Sequence, residues 1–83
     1  MARLNPESPG TDEIHAVLTT PDLVHAAKAV WMFLRITPDP QSQKAIADAL
    51  HMDPASVARL LRGLASKGLA RRVHGVWLPE APR

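Results

Sequence analysis

The chain has 83 residues, of which 46% are hydrophobic, and a formal net charge of +2. This length suits one small domain, and the apolar content excludes a fully disordered chain. The absence of cysteine excludes disulfides and thiolate metal sites, and no apolar run is long enough to cross a membrane. Because no signal-peptide pattern is present, we expect a cytoplasmic protein.

Residues 1–19 are expected to form an N-terminal arm that contains a short helix. Prolines favour a flexible segment before Thr11, which can cap a helix whose first turn carries two acids. This helix has an apolar edge formed by Ile14, Val17 and Leu18. The edge packs on the core in a monomer or faces a partner in a dimer, and the sequence leaves both alternatives open.

A long helix is predicted from Thr20-Pro21-Asp22 to about Ile36. Thr20 is a suitable cap and Pro21 suits a first helical position, whereas the residue before Pro38 avoids the helical region. The inward stripe consists of Leu23, Ala27, Val30 and Leu34, joined by Ala26 and Phe33.

Trp31 is expected at the edge of this stripe. It either packs under the N-terminal segment or anchors a contact with a second copy of the chain, since an exposed tryptophan is typical of interfaces.

After a loop over residues 38–41, two short helices are predicted in close succession. Ser42 can cap the first, Gln43 to Leu50. Asp53 can cap the second, Pro54 to Lys67, and Gly68 can end it in a left-handed conformation. Because two residues separate the helices, they must cross steeply, as in a helix-turn-helix.

The second of these helices has two distinct faces. Its inward stripe consists of Val57, Leu60, Leu61 and Leu64. The outer face combines Arg59 and Arg62 with small residues and contains no acid. Its small residues are Ala55 and Ser66, with Ser56 and Gly63 on one flank. Such a face can approach a polyanion closely, although two exposed arginines are also common on ordinary solvated helices.

A basic hairpin is predicted after this helix. Two β-prone runs, Leu69–Val73 and Val76–Leu78, are separated by His74-Gly75, where a primed turn needs positive φ. Arg71 and Arg72 lie on its first strand and point to opposite faces. Residues 80–83 are expected to be a frayed tail, and the Pro-rich sequence indicates that the fraying begins at Pro79.

The charges are distributed unevenly. Residues 1–53 carry four Lys/Arg and seven Asp/Glu, whereas residues 54–79 carry five Lys/Arg and no acid. This asymmetry orients a molecule toward a polyanion.

The stretch QSQKAIADALHMDPASVARLLRGLASKGLARRVHGVWLP resembles the winged helix-turn-helix of bacterial MarR- and IclR-type regulators. The resemblance depends on Ile46-Ala47-x-x-Leu50, Val57-x-x-Leu60-x-x-x-Leu64, Lys67-Gly68-Leu69 and Trp77-Leu78. It implies a mainly α domain at residues 20–79 with three core helices and a β-hairpin wing, Leu69–Leu78. One departure is His51, where the family usually has Gly.

The resemblance also implies sequence-specific binding of double-stranded DNA by a transcriptional regulator. The recognition helix Pro54–Lys67 enters the major groove, and the wing contacts the backbone or minor groove. About four neutralised phosphates give a slope near −4 for log affinity against log salt. The expected DNA-binding residues are Ser42, Gln43, Lys44, Ala55, Ser56, Arg59, Arg62, Gly63, Arg71, Arg72 and His74.

Because such regulators usually read two half-sites, we expect a homodimer. Its interface is predicted in the N-terminal segment and the first long helix, at Ile14, Val17, Leu18 and Trp31. We expect no cofactor, no metal and no effector domain after the wing. The four histidines show no metal-ligand spacing and no nucleophile motif is present, so we do not expect an enzyme.

Other interpretations are a winged helix used as a protein-interaction module or adaptor, and a nucleoid or plasmid-partition protein. Z-DNA binding is disfavoured, because that family needs Asn and Tyr where this chain has Ala58 and Arg62.

Overall fold

The computed structural model describes residues 11–81, which form four helices and a three-stranded antiparallel sheet. The segment predicted as flexible before Thr11 lies outside the described residues. The helices are α1 (Thr11–Leu18), α2 (His25–Ile36), α3 (Gln43–Leu50) and α4 (Pro54–Ser66). The strands are β1 (Gln41–Ser42), β2 (Ala70–Val73) and β3 (Val76–Pro79), in the order β1-β3-β2. The predicted fold class, a mainly helical winged helix-turn-helix, is confirmed.

The core lies where α2 packs against α4 and β3, with α3 packed against α4. Its largest fully buried side chains are Trp31, Ile46, Leu61, Leu64, Val17, Val30 and Val57. Burying an aliphatic side chain of this size stabilises a fold by about 1.5–3 kcal/mol. The predicted inward stripe is confirmed for Leu23, just before α2, and for Ala27, Val30 and Leu34, which are all buried. It is wrong for Ala26, which is exposed, and Phe33 is half-buried.

The helix-turn-helix is fixed by local hydrogen bonds and left-handed residues. The Ser42 hydroxyl accepts from the amide of Ala45 at 3.1 Å, and the Asp53 carboxylate accepts from the amide of Ser56 at 3.1 Å. His51 ends α3 at φ 55°, as its position in the two-residue link requires. The predicted boundaries of α3 are confirmed, and α4 ends one residue before its predicted end.

The start predicted for the long helix is wrong. Thr20 does not cap α2; its hydroxyl donates to the carbonyl of Ala16 at 2.7 Å and so closes the end of α1. The helix begins four residues after Pro21, at His25, and its N-cap Val24 offers no side-chain hydrogen bond. Thr20 therefore stabilises the end of α1 instead of the start of α2.

The position predicted for Trp31 is also wrong. Trp31 and Val17 are 0% exposed, so neither side chain is available to a partner. The Trp31 indole N–H donates to the carbonyl oxygen of Glu80 at 3.2 Å, and the Glu80 amide donates to the carbonyl of Leu69 at 2.8 Å. Pro79 closes β3, so Pro79 and Glu80 belong to the packed structure rather than to a frayed tail.

The short helix α1 is tied to α2 by charged side chains. Glu13 and Arg35 form an ion pair, and the Arg35 guanidinium lies 6.0 Å from the centre of the Trp31 ring. The Lys28 ammonium donates to the carbonyl of Leu18, the last residue of α1, at 2.6 Å. The expected short helix is therefore confirmed and is docked on α2.

A third strand was not anticipated. Gln41, predicted in a loop, forms β1 together with Ser42, and the pairs are Gln41 with Trp77 and Ser42 with Val76. This pairing places the start of α3 beside the hairpin, so the helix-turn-helix and the wing share one sheet.

The left-handed turn at His51 leads to a stability prediction. A left-handed non-glycine residue costs about 1–2 kcal/mol, and glycine avoids this cost but gains entropy in the unfolded chain. We expect His51→Gly to change the unfolding free energy by less than about 1 kcal/mol. We expect His51→Val, which adds a β-branched side chain, to lower it by at least about 1–2 kcal/mol. Urea unfolding followed by tryptophan fluorescence measures both, and equal losses in the two variants would contradict the role given to the turn.

Candidate nucleic-acid interface

The exposed face of α4 carries the residues that the sequence predicted for it. Ala55, Arg59 and Arg62 are exposed, whereas Ser56 and Gly63 are half-buried on its flank. Val57, Leu61 and Leu64 are 0% exposed on the opposite side. The packing of the apolar side therefore presents the small residues and the two arginines to solvent.

The beginning of α3 meets the beginning of α4. The Gln43 side-chain amide donates to the carbonyl of Pro54 at 3.1 Å, so Gln43 links the two helices. Ser42 caps α3 through its hydroxyl oxygen, while Lys44 forms an exposed ion pair with Asp48 at 3.0 Å. The three residues predicted here thus lie beside the start of α4, and each already has a partner within the chain.

The wing is a tight hairpin. His74 at φ 52° and Gly75 at φ 81° occupy its two central positions, which is the backbone of a type I′ turn. Arg71 pairs with Leu78 and Arg72 with Trp77 across the hairpin, so the two arginines lie on opposite faces as predicted. Both arginines and His74 are exposed.

The five cations of residues 54–79 differ in their ion pairs. Lys67 lies 3.6 Å from the Asp22 carboxylate, and the Arg71 Nε atom lies 3.1 Å from the Glu80 carboxylate. Within residues 11–81, Arg59, Arg62 and Arg72 form no ion pair. Asp22 is far in sequence from the basic segment and Glu80 directly follows it, and sequence reasoning assigned neither acid to these cations.

Arg59 also borders a shallow cavity between α4 and the start of α2. The cavity has a volume of about 290 Å³ and is lined by Asp22, Leu23, Val24, Ala27, Arg59, Leu60, Gly63 and Lys67. Arg59 therefore lies at the edge of the exposed face of α4 that is nearest to the start of α2, and it borders the same cavity as Asp22.

Between residues 11 and 81, no helix is long and apolar enough to span a membrane. In the same range, no three His, Cys, Asp or Glu side chains come together as metal ligands would.

A capped helix-turn-helix followed by a basic hairpin defines the winged helix class of DNA-binding domains. Residues 37–76 match the model of the MarR family, which is consistent with a winged helix DNA-binding domain of the MarR type. No curated protein and no solved structure shows a significant match to the chain. Members of the MarR family are regulators rather than enzymes, so the match supports a transcriptional regulator with DNA binding.

Proposed function

We propose that the protein binds double-stranded DNA in a sequence-specific manner and regulates transcription at the bacterial nucleoid. The observation that carries this proposal is the outer face of α4, where Arg59 and Arg62 form no ion pair within residues 11–81 and small residues surround them. In this proposal α4 enters the major groove, and the wing contacts the backbone or the minor groove.

The proposed roles follow from side-chain chemistry. Arg59 and Arg62 contact base edges, since arginine donates two hydrogen bonds to guanine. Ala55, Ser56 and Gly63 allow α4 to approach the bases. The remaining proposed contacts are with phosphates, which position the protein without reading sequence. They come from Ser42, Gln43, Lys44, Arg71, Arg72 and His74.

The ion pairs lower the expected salt dependence. Because Lys67 and Arg71 are paired with acids, Arg59, Arg62 and Arg72 are the cations of residues 54–79 without such a partner in the described structure. Because a paired cation releases fewer counterions, the slope of log affinity against log salt should be shallower than the value near −4 that the sequence alone predicts.

The adaptor interpretation has less support. A protein-interaction surface on α4 needs an exposed apolar patch, whereas its exposed residues are small or basic. In the described residues, the large exposed apolar side chains are Leu18, Val24 and Ile36, which all lie outside α4.

We also propose a homodimer, which would present two α4 helices to two half-sites. Its support is an apolar groove of about 400 Å³ along α1 and α2, lined by Leu18, His25, Lys28, Ala29 and Met32. Leu18 is 44% exposed, and Ile36 continues the same side of α2 at 67%. Ile14 lies one turn before Leu18 on α1, is half-buried and remains part of the proposed interface. Val17 and Trp31 are fully buried and are no longer part of it.

Replacement of single arginines tests the DNA-binding proposal. We expect Arg59→Ala or Arg62→Ala to weaken binding to a duplex recovered from genomic DNA by about 1–3 kcal/mol, or roughly 5- to 150-fold. Because the proposed contacts are to bases, each replacement should also relax discrimination between sequences and leave the salt slope nearly unchanged. Fluorescence anisotropy measures the affinity, and circular dichroism verifies the fold. Lys67→Met is the matched control, since it removes from the end of the same helix a cation that is paired with Asp22 and has no proposed DNA contact. Unchanged affinity in both arginine variants would rule the proposal out.

The oligomeric state tests the dimer. Sedimentation equilibrium should give twice the chain mass for the native protein, and Leu18→Glu should shift it toward the monomer because a carboxylate would be desolvated in the interface. Val24→Glu is the control, since Val24 is 61% exposed and borders the other cavity. A native protein that stays monomeric at high concentration contradicts the dimer but leaves DNA binding untouched.

A further inference from the structure

Glu80 follows the basic segment directly and is held in place by its own backbone. Its amide donates to the Leu69 carbonyl at 2.8 Å, and its carbonyl accepts from the Trp31 indole at 3.2 Å. Trp31 is 0% and Leu69 5% exposed, so both partners belong to the core. The position of Glu80 is thus set without any contribution from its carboxylate.

That carboxylate contacts the wing. Its Oε2 atom lies 3.1 Å from the Arg71 Nε atom, and the two side chains are 35% and 63% exposed. An exposed pair usually contributes little, partly because two mobile side chains must be ordered. Here the anchored backbone holds residue 80 next to the wing, so the Glu80 carboxylate stays within reach of the Arg71 guanidinium.

We propose that Glu80 is an intramolecular competitor of DNA for Arg71, an inference that rests on the proposed function. Phosphate and carboxylate oxygens accept hydrogen bonds from the same guanidinium N–H groups. If a phosphate displaces the carboxylate, Glu80 remains beside the phosphates as a like charge. In either case Glu80 offsets about one positive charge of the wing.

This competition affects sequence discrimination. Phosphate contacts strengthen binding to every sequence, whereas base contacts separate one sequence from another. By weakening a phosphate contact of the wing, Glu80 lowers binding to arbitrary DNA and leaves the reading of bases by α4 unchanged. Arg72, which forms no ion pair within residues 11–81, then supplies the main cationic contact of the wing.

Glu80→Gln tests the proposal in the full-length chain. It preserves both backbone hydrogen bonds and a side-chain oxygen acceptor, and it removes only the charge. We expect tighter binding to a short duplex of arbitrary sequence at low salt. The slope of log affinity against log salt should steepen by about 0.9, the change expected for one more neutralised phosphate. Anisotropy titrations at several salt concentrations give the slope, and thermal unfolding verifies that the variant is folded.

Two further variants separate release of Arg71 from a general charge effect. Asp12→Asn makes the same charge change on α1, where Asp12 is exposed and forms no ion pair with the described residues, and it should leave the slope unchanged. Adding Arg71→Met to Glu80→Gln should restore the native slope. An unchanged slope in Glu80→Gln, or a steeper slope that persists without Arg71, overturns the competitor role while native DNA binding stands. Absence of binding by the native chain to any duplex overturns the proposed function itself.

Discussion

Burial of the Val57, Leu61 and Leu64 side of α4 is the interaction on which the proposed interface depends. All three side chains are 0% exposed, and together they fix the rotation of α4 about its axis. The left-handed His51 and the hydrogen bond from Gln43 to the Pro54 carbonyl then fix the angle between α3 and α4. Because rotation and angle are both set from the buried side, the exposed arginines are displayed by a rigid element rather than by a loop.

The electrostatics of the interface depend on residues outside the basic segment. Residues 54–79 contain no acid, yet Asp22 and Glu80 pair with two of their five cations. A charge count along the sequence therefore overestimates the number of cations that are free for phosphates. If α4 reads bases as proposed, the domain combines an α4 face that carries no acid with a wing whose charge is partly offset. This arrangement would favour discrimination between sequences over general affinity for DNA.

Local chemistry explains what the sequence could predict. Ser42, Asp53 and Gly68 act within a few residues, so the boundaries of α3 and α4 follow from capping rules alone. The structure departs from the predictions where distant residues decide the outcome. Thr20 serves α1 instead of α2, Trp31 is buried and bonded to a residue 49 positions away, and β1 exists because β3 pairs with it. The ion pairs of Lys67 with Asp22 and of Arg71 with Glu80 could not be predicted either, because neither acid belongs to a sequence motif.

The central claim is that one surface, formed by α4 and the wing, meets the duplex. The most direct measurement is a titration of the ¹⁵N-labelled protein with a duplex recovered from genomic DNA, followed by amide chemical shifts. We predict shifts in the first turns of α4, at Gln43 and Lys44, and at the His74-Gly75 turn, with the amides of α1 unchanged. Saturating DNA that shifts mainly α1 and the outer side of α2, or no amide at all, would contradict the account.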